Sequence, residues 1–133
     1  AIVAQGVLTF ELVPHTLASM ASRTEHDAFG PIEVASDKLW GAQTQRSIEN
    51  FPVGDPADRM PLAVIHAFGV LKKCCAIYNR DAGLLSKEFA TELIEAADEV
   101  ARGDLDAMFP LVIFQTGSGT QSNMNVDEVI SNR

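Results

Sequence analysis

Eleven consecutive residues near the C-terminal end, Gln115-Thr116-Gly117-Ser118-Gly119-Thr120-Gln121-Ser122-Asn123-Met124-Asn125, carry two glycines, four hydroxyl side chains and four amides. Glycine lets a backbone turn sharply and present N–H groups with no Cβ in the way. Hydroxyls and amides add donors. The residues that follow, Val126 to Arg133, read as the opening of a helix. A donor-rich turn feeding a helix N-terminus can receive a small carboxylated or phosphorylated ligand. Ser118 and Thr120 flank Gly119 and could hold a carboxylate through charge-assisted hydrogen bonds. A second reading stays open: a tight turn with a helix cap, whose polar side chains bond only to nearby backbone.

The run offers no His or Lys as a general base, so a nucleophilic role for Ser118 has no support. No Gly-Lys-Ser/Thr follows the glycines, so the turn is not a nucleotide loop. His15, His26 and His66 are scattered, and His66 reads as a surface or packed histidine. Arg46, within Gln43-Thr44-Gln45-Arg46, could pair with a substrate carboxylate or with an internal Asp or Glu, the internal pair being favoured. Lys72-Lys73 reads as a solvated face. Cys74 and Cys75 are adjacent in a helical pattern and point about 100° apart, which argues against a disulfide between them. They have no zinc spacing and read as small buried hydrophobes in a reducing compartment.

The elements that must position the turn belong to one domain's worth of chain, 133 residues with 47% hydrophobic and 21% charged content. A net charge of -8 argues against nucleic acid, which needs clustered Lys and Arg. No uninterrupted apolar run approaches the roughly 18 residues of a membrane span. Residues 1–22 have no clear period, contain Glu11 and lack Arg and Lys, so they make a poor targeting sequence. They are expected to be a flexible or adventitious extension, with Met20 as a possible start, ahead of a domain over residues 23–133.

Arg23 to Gly30 reads as loop, and Pro31 to Val34 as a short strand. Ser36 or Asp37 could cap a short helix or turn through Leu39 and Trp40. Gly41 to Asn50 has helical propensity in its second half, and Pro52, Gly54 and Pro56 make a loop. Met60 to Asn79 reads as an amphipathic helix with a core face of Met60, Val64, Phe68, Leu71, Cys75 and Tyr78. Gly69 in its middle marks a close helix contact, and Gly83 a stop. Ser86 caps a second helix through Ala101, with Phe89, Leu93, Ala97 and Val100 inward and Gly103 as terminator. Leu111 to Phe114 reads as extended. Asn125 with Glu128 fits a capping box opening a third helix at Val126, and Asp127 and Glu128 suit that helix's positive end. Only about two turns of it precede the last residue, as expected of the start of a longer helix.

Several blocks together resemble the N-terminal domain of class II fumarate hydratases, over roughly Arg23 to Arg133 and in collinear order. They are Asp37-Lys38-Leu39-Trp40-Gly41-Ala42-Gln43-Thr44-Gln45-Arg46-Ser47, Arg59-Met60-Pro61, Ala67-Phe68-Gly69, Ala96-Ala97-Asp98-Glu99-Val100, Phe109-Pro110, the glycine run, and Glu128-Val129-Ile130. The wider superfamily includes aspartate ammonia-lyase, argininosuccinate lyase and adenylosuccinate lyase. The Thr-Gly-Ser-Gly-Thr-Gln form is similar to the fumarases, whereas aspartases usually carry a Gly-Ala-Gly-Thr turn.

The resemblance implies a mainly α unit with short strands, the N-terminal domain of the fumarase/aspartase (L-aspartase-like) fold without the central helical bundle. It implies a parent lyase of the tricarboxylic acid cycle that reversibly hydrates fumarate to L-malate with no metal or organic cofactor, in the cytoplasm or the mitochondrial matrix. That parent would be a homotetramer, its partners a small dicarboxylate and its own copies, with neither nucleic acid nor membrane involved. Each active site would draw on three subunits. Ser118, Gly119 and Thr120 match the substrate-binding positions of the first domain. No catalytic or metal-binding residue is carried over. The family's base, a serine in a Gly-Ser-Ser-x-Met-Pro loop, lies downstream with a histidine and a Lys-Asn pair, so this segment alone should be inactive. Asp127 stands where the family usually has Asn, and Cys74-Cys75 where it usually has an Ala pair. Two other readings stand beside this one: an aspartase-like ammonia-lyase, and a non-catalytic folded fragment that associates through an exposed helix face.

Overall fold

The computed structural model describes residues 21–133. Expectations for residues 1–20, including Met20 as a start and His15, lie outside the described residues.

Strands β1 (Ser22–Asp27) and β2 (Gly30–Ala35) form an antiparallel hairpin in which Arg23 opposes Val34 and Asp27 opposes Gly30. The connecting turn closes with Gly30 at φ 103°, where a side chain would be strained. The loop expected over Arg23 to Gly30 is therefore a strand. Its polar residues have tertiary partners that composition does not reveal. The Arg23 guanidinium donates to the carbonyls of Ala35 (3.1 Å), Lys38 (2.6 Å) and Trp40 (2.7 Å). It thereby ties the hairpin to the turn that leads into α1 (Ala42–Asn50). Arg46 of α1 pairs with Asp27 at 2.8 Å and donates to Gly30 O at 2.8 Å, the internal pairing expected for it.

After a single 3-10 turn (Pro56–Asp58), α2 (Leu62–Asp81) and α3 (Lys87–Arg102) form a helical hairpin. Gly83, at φ 71°, follows the end of α2, and the Leu84 N–H reaches back to Asn79 O at 2.8 Å. Ser86 Oγ accepts from the Phe89 N–H at 3.2 Å, and Gly103 ends α3 at φ 84°. Both caps stand where the sequence places them.

The apolar face expected on α2 is turned. Ile65, Gly69 and Ala76 are buried, with Phe68 and Met60 packed against the core, while Val64, Leu71, Cys75 and Tyr78 are exposed. Apolar residues surround most of this helix, so periodicity alone could not select the packed side. Gly69 selects it. A Cβ there would stand 2.6 Å from Ala101 N and 2.9 Å from Ala101 Cα, so the helices touch backbone to backbone. Phe89, expected inside, is exposed, and Ala90 and Ala96 join Ala97 and Val100 in the buried face of α3. Cys74 and Cys75 are free thiols, as expected, but exposed.

By length and composition α2 could cross a bilayer: 20 residues, with mean hydropathy 1.2 in its most apolar window. Here, however, Lys72 and Lys73 sit at its middle and pair with Asp127 (2.8 Å) and Asp98 (2.6 Å). The two lysines expected to be a solvated face thus bridge helices.

Helix α4 (Thr120–Asn132) closes the core. Val126, Val129 and Ile130 pack with Val34, Trp40, Ile65, Ala97, Val100 and Phe109.

Two outcomes follow. Gly69→Ala gains about 1 kcal/mol of helix propensity. It also drives a methyl into fixed backbone, which costs about 1–3 kcal/mol, so a lowered urea midpoint is expected. A raised midpoint would mean that the α2–α3 gap opens freely. The second outcome concerns acid. The hydrogen bond from Arg46 holds the Asp27 carboxyl below its ordinary value of 3.8, against a smaller opposing effect of burial. A lowered folded value stabilises the fold above the unfolded value and is lost as pH falls through the folded one. Asp27→Asn should therefore flatten the dependence of urea stability on pH below about 4, and an unchanged slope would remove Asp27 from the acid response.

Candidate functional site

The glycine run forms one compact turn on the surface. Gly119 N donates to Thr116 O at 3.1 Å, closing a four-residue turn, and Gly119 then takes φ 70° to open α4. The helix thus begins at Thr120, six residues before the start expected at Val126. Asn125 is not a cap. It is buried inside the helix, 1% exposed, and its Nδ2 donates to Met108 O at 3.1 Å. Capping-box spacing matched by coincidence, because the glycine-hydroxyl segment supplies the helix start itself.

Two glutamines hold the turn in place. Gln115 Oε1 accepts from the Ser122 N–H at 3.1 Å, satisfying a first-turn donor of α4, while its Nε2 donates to Val112 O at 2.9 Å. Gln121 Oε1 accepts from the Thr116 N–H at 2.9 Å, and its Nε2 donates to Ser47 Oγ of α1 at 3.0 Å. The two amides run in opposite directions across the turn, one from the segment before it to the helix and one from the helix back to that segment.

This brace leaves the three expected site residues together and outward. Ser118 Oγ lies 3.0 Å from Thr120 Oγ1 and 3.2 Å from Thr116 Oγ1, so three hydroxyls form a continuous row. Ser118 and Thr120 are exposed, and Gly119 joins them in the left-handed conformation. A Cβ at Gly117 or Gly119 would meet nothing within 4 Å, so space is not why glycine stands at either position. At Gly119 the reason is the positive φ. The first N–H groups of a helix have no intrahelical acceptor. With that of Ser122 taken by Gln115, those of Thr120 and Gln121 remain at the positive end of the helix dipole. Hydroxyls beside such N–H groups suit a carboxylate or phosphate oxygen. Among the described residues the three hydroxyls bond to one another and to no stronger base.

Charge further along α4 is accounted for locally. Asp127 Oδ1 is 2.8 Å from Lys72 Nζ, and its Oδ2 accepts from Asn123 at 2.9 Å, so this acid is paired across to α2. Glu128, expected to serve its own helix, serves α1. Its two oxygens accept the N–H groups of Gly41 (2.9 Å), Gln43 (2.7 Å) and Thr44 (3.1 Å). His66 is 2.8 Å from Asp106 and takes no part in the turn. Among the residues that sequence reasoning missed, Gln115 and Gln121 left a signal, since they flank the glycines at both ends. Ser47 left none, because 74 positions separate it from its partner.

The row of exposed hydroxyls thus lies beside the first N–H groups of α4, at the surface of a mainly helical unit. A family model described as lyase matches residues 30–133, and the chain belongs to that family. Its relatives are fumarate hydratases. The mitochondrial fumarate hydratase of Saccharomyces cerevisiae is 63% identical over 111 residues, covering 84% of this chain and 23% of that protein. Fumarate hydratase class II 2 of Bradyrhizobium diazoefficiens is 57% identical over 116 residues, covering 87% of this chain and 24% of that protein. In structure, recombinant class II fumarase from Schistosoma mansoni is similar with a TM-score of 0.81 and 42% identity, covering 84% of this chain and 23% of that one. The chain therefore spans about a quarter of the length of the relatives it matches. The mainly α fold with a short hairpin agrees with the fold class expected from the resemblance.

Removing the Glu128 carboxylate tests the link between α4 and α1. Glu128→Ala leaves three N–H groups without their acceptor and should cost on the order of 2 kcal/mol, read from urea unfolding of the purified chain. No loss would mean that water replaces the carboxylate without penalty.

Proposed function

We propose that residues 23–133 form the substrate-holding segment of a class II fumarase-type enzyme, whose full-length protein reversibly hydrates fumarate to L-malate. Ser118, Gly119 and Thr120 hold one carboxylate of the dicarboxylate. The observation that carries this reading is the row of hydroxyls from Thr116 to Thr120 beside the first N–H groups of α4. Loss of a proton from the carbon next to a carboxylate spreads negative charge onto that group. Donors already aimed at it gain most in strength at that moment. The base comes from elsewhere in the full-length enzyme, so the segment alone binds without turning over. The full-length protein is a homotetramer whose sites are shared between subunits, in the mitochondrial matrix or the cytoplasm. The mitochondrial names of several relatives support the first location. Asp127 is compatible with a dicarboxylate because Lys72 pairs with it.

A second reading, a fragment that associates without catalysis, draws on the exposed Val70, Leu71 and Tyr78 of α2. A monodisperse monomer in solution would count against it.

The test places residues 23–133 in the matching segment of the yeast relative and follows malate-to-fumarate turnover by ultraviolet absorbance. Activity is expected in the full-length hybrid and none in the isolated chain. Ser118→Ala or Thr120→Val in the hybrid should lower kcat/KM about a hundredfold. Hybrid activity that both variants leave unchanged would sink the carboxylate role. Ammonia release from L-aspartate in place of malate turnover would shift the assignment to an aspartase-like lyase.

A further inference from the structure

We infer that Ser47 of α1 is a positioning residue for the Ser118–Thr120 turn, acting through Gln121 on the backbone of Thr116. The inference rests on the carboxylate role proposed for that turn.

Polarity fixes the direction of this relay. The Thr116 N–H can only donate, so the oxygen end of the Gln121 amide must face it, as it does at 2.9 Å. The NH2 end is then committed to the opposite side and needs an acceptor there. Ser47 Oγ supplies one at 3.0 Å, from a residue that is 7% exposed. Without that oxygen the amide would keep a donor with no partner in a largely covered place, and rotating away would release Thr116. Thr116 matters because it anchors the turn twice. Its carbonyl accepts from Gly119 at 3.1 Å, and its hydroxyl begins the row that continues through Ser118. The position of the row is therefore referred to α1. Helix α1 is in turn fixed to α4 through Glu128, so relay and turn share one frame.

A hydroxyl at position 47 does little for the core, since Ser47 carries no apolar bulk. This separates positioning from folding in an experiment. Three variants are compared: Ser47→Ala, Ser47→Thr, which keeps the hydroxyl, and Ser118→Ala as the reference for the carboxylate role. In the 133-residue chain, Ser47→Ala should speed amide exchange at Thr116 about fivefold, the equivalent of one lost hydrogen bond, while α2 and α3 amides keep their rates. In the full-length hybrid, Ser47→Ala should lower kcat/KM for malate about fivefold, with kcat falling, as expected when donors that strengthen in the transition state lose their aim. Ser47→Thr should restore both readouts. Unchanged Thr116 exchange in Ser47→Ala overturns the inference. So does a general rise in exchange across α1 to α4, or a kcat/KM that Thr fails to rescue. If Ser118→Ala leaves KM and kcat unaltered, the carboxylate role fails, and Thr116 exchange still decides whether Ser47 positions the turn.

Discussion

Helix α1 has no cap of its own. Gly41 precedes it without a side-chain acceptor, and its first turn carries no acidic residue. The missing anion comes from 87 positions away: the Glu128 carboxylate takes the N–H groups of Gly41, Gln43 and Thr44. Gly41 makes the approach possible, because a Cβ there would stand 3.0 Å from the carboxylate carbon. One carboxylate does the work of a helix cap and of a cross-link between two helices. The rest of α4 repeats the pattern with other partners. Asp127 reaches Lys72 on α2, Asn125 reaches Met108 O, Asn132 reaches Leu39 O, and Arg133 reaches Glu99 on α3. Helix α4 is thus fastened to each layer around it, and the turn at its N-terminus inherits that rigidity. A site that must aim weak donors at one oxygen needs such a foundation, because misplacement by an ångström forfeits most of a hydrogen bond.

Features encoded by neighbouring residues were legible in the sequence. Ser86, Gly83 and Gly103 punctuate the helical hairpin where they were expected, since a cap or a left-handed residue acts within one turn of its own position. At Gly69 the residue type marked a close approach, although its partner Ala101 lies far off in the chain. Features set by distant partners were not. Arg23 looks like loop material until its guanidinium is seen gathering three carbonyls of the following turn. Glu128 fits a capping-box spacing with Asn125, yet Asn125 is buried and Glu128 caps a different helix. The packed side of α2 is decided by where its one glycine allows a neighbour to come near, and not by the count of apolar residues on each face. Within the candidate site, the three residues at the tip were identifiable from type and spacing. The brace beneath them was visible only in part, as two glutamines with no apparent task.

In the proposed function the turn is separate from the group that moves the proton, and the chemistry of the turn favours that separation. A strong base beside the Ser118–Thr120 row would accept from those hydroxyls and consume the donors meant for a ligand. A row of hydroxyls bonded only to one another costs little to redirect, because each link is neutral and exposed. An arriving carboxylate offers stronger, charge-assisted bonds to the same hydrogens. The row's two internal links can therefore be exchanged for bonds to an anion by rotation of the hydroxyls alone. The backbone of the turn is held from below by Gln115 and Gln121. In the proposed function, binding falls to this rigid element and the proton-moving group to another. This is the arrangement expected of an active site assembled from several segments, in which each segment need carry only one of the two tasks.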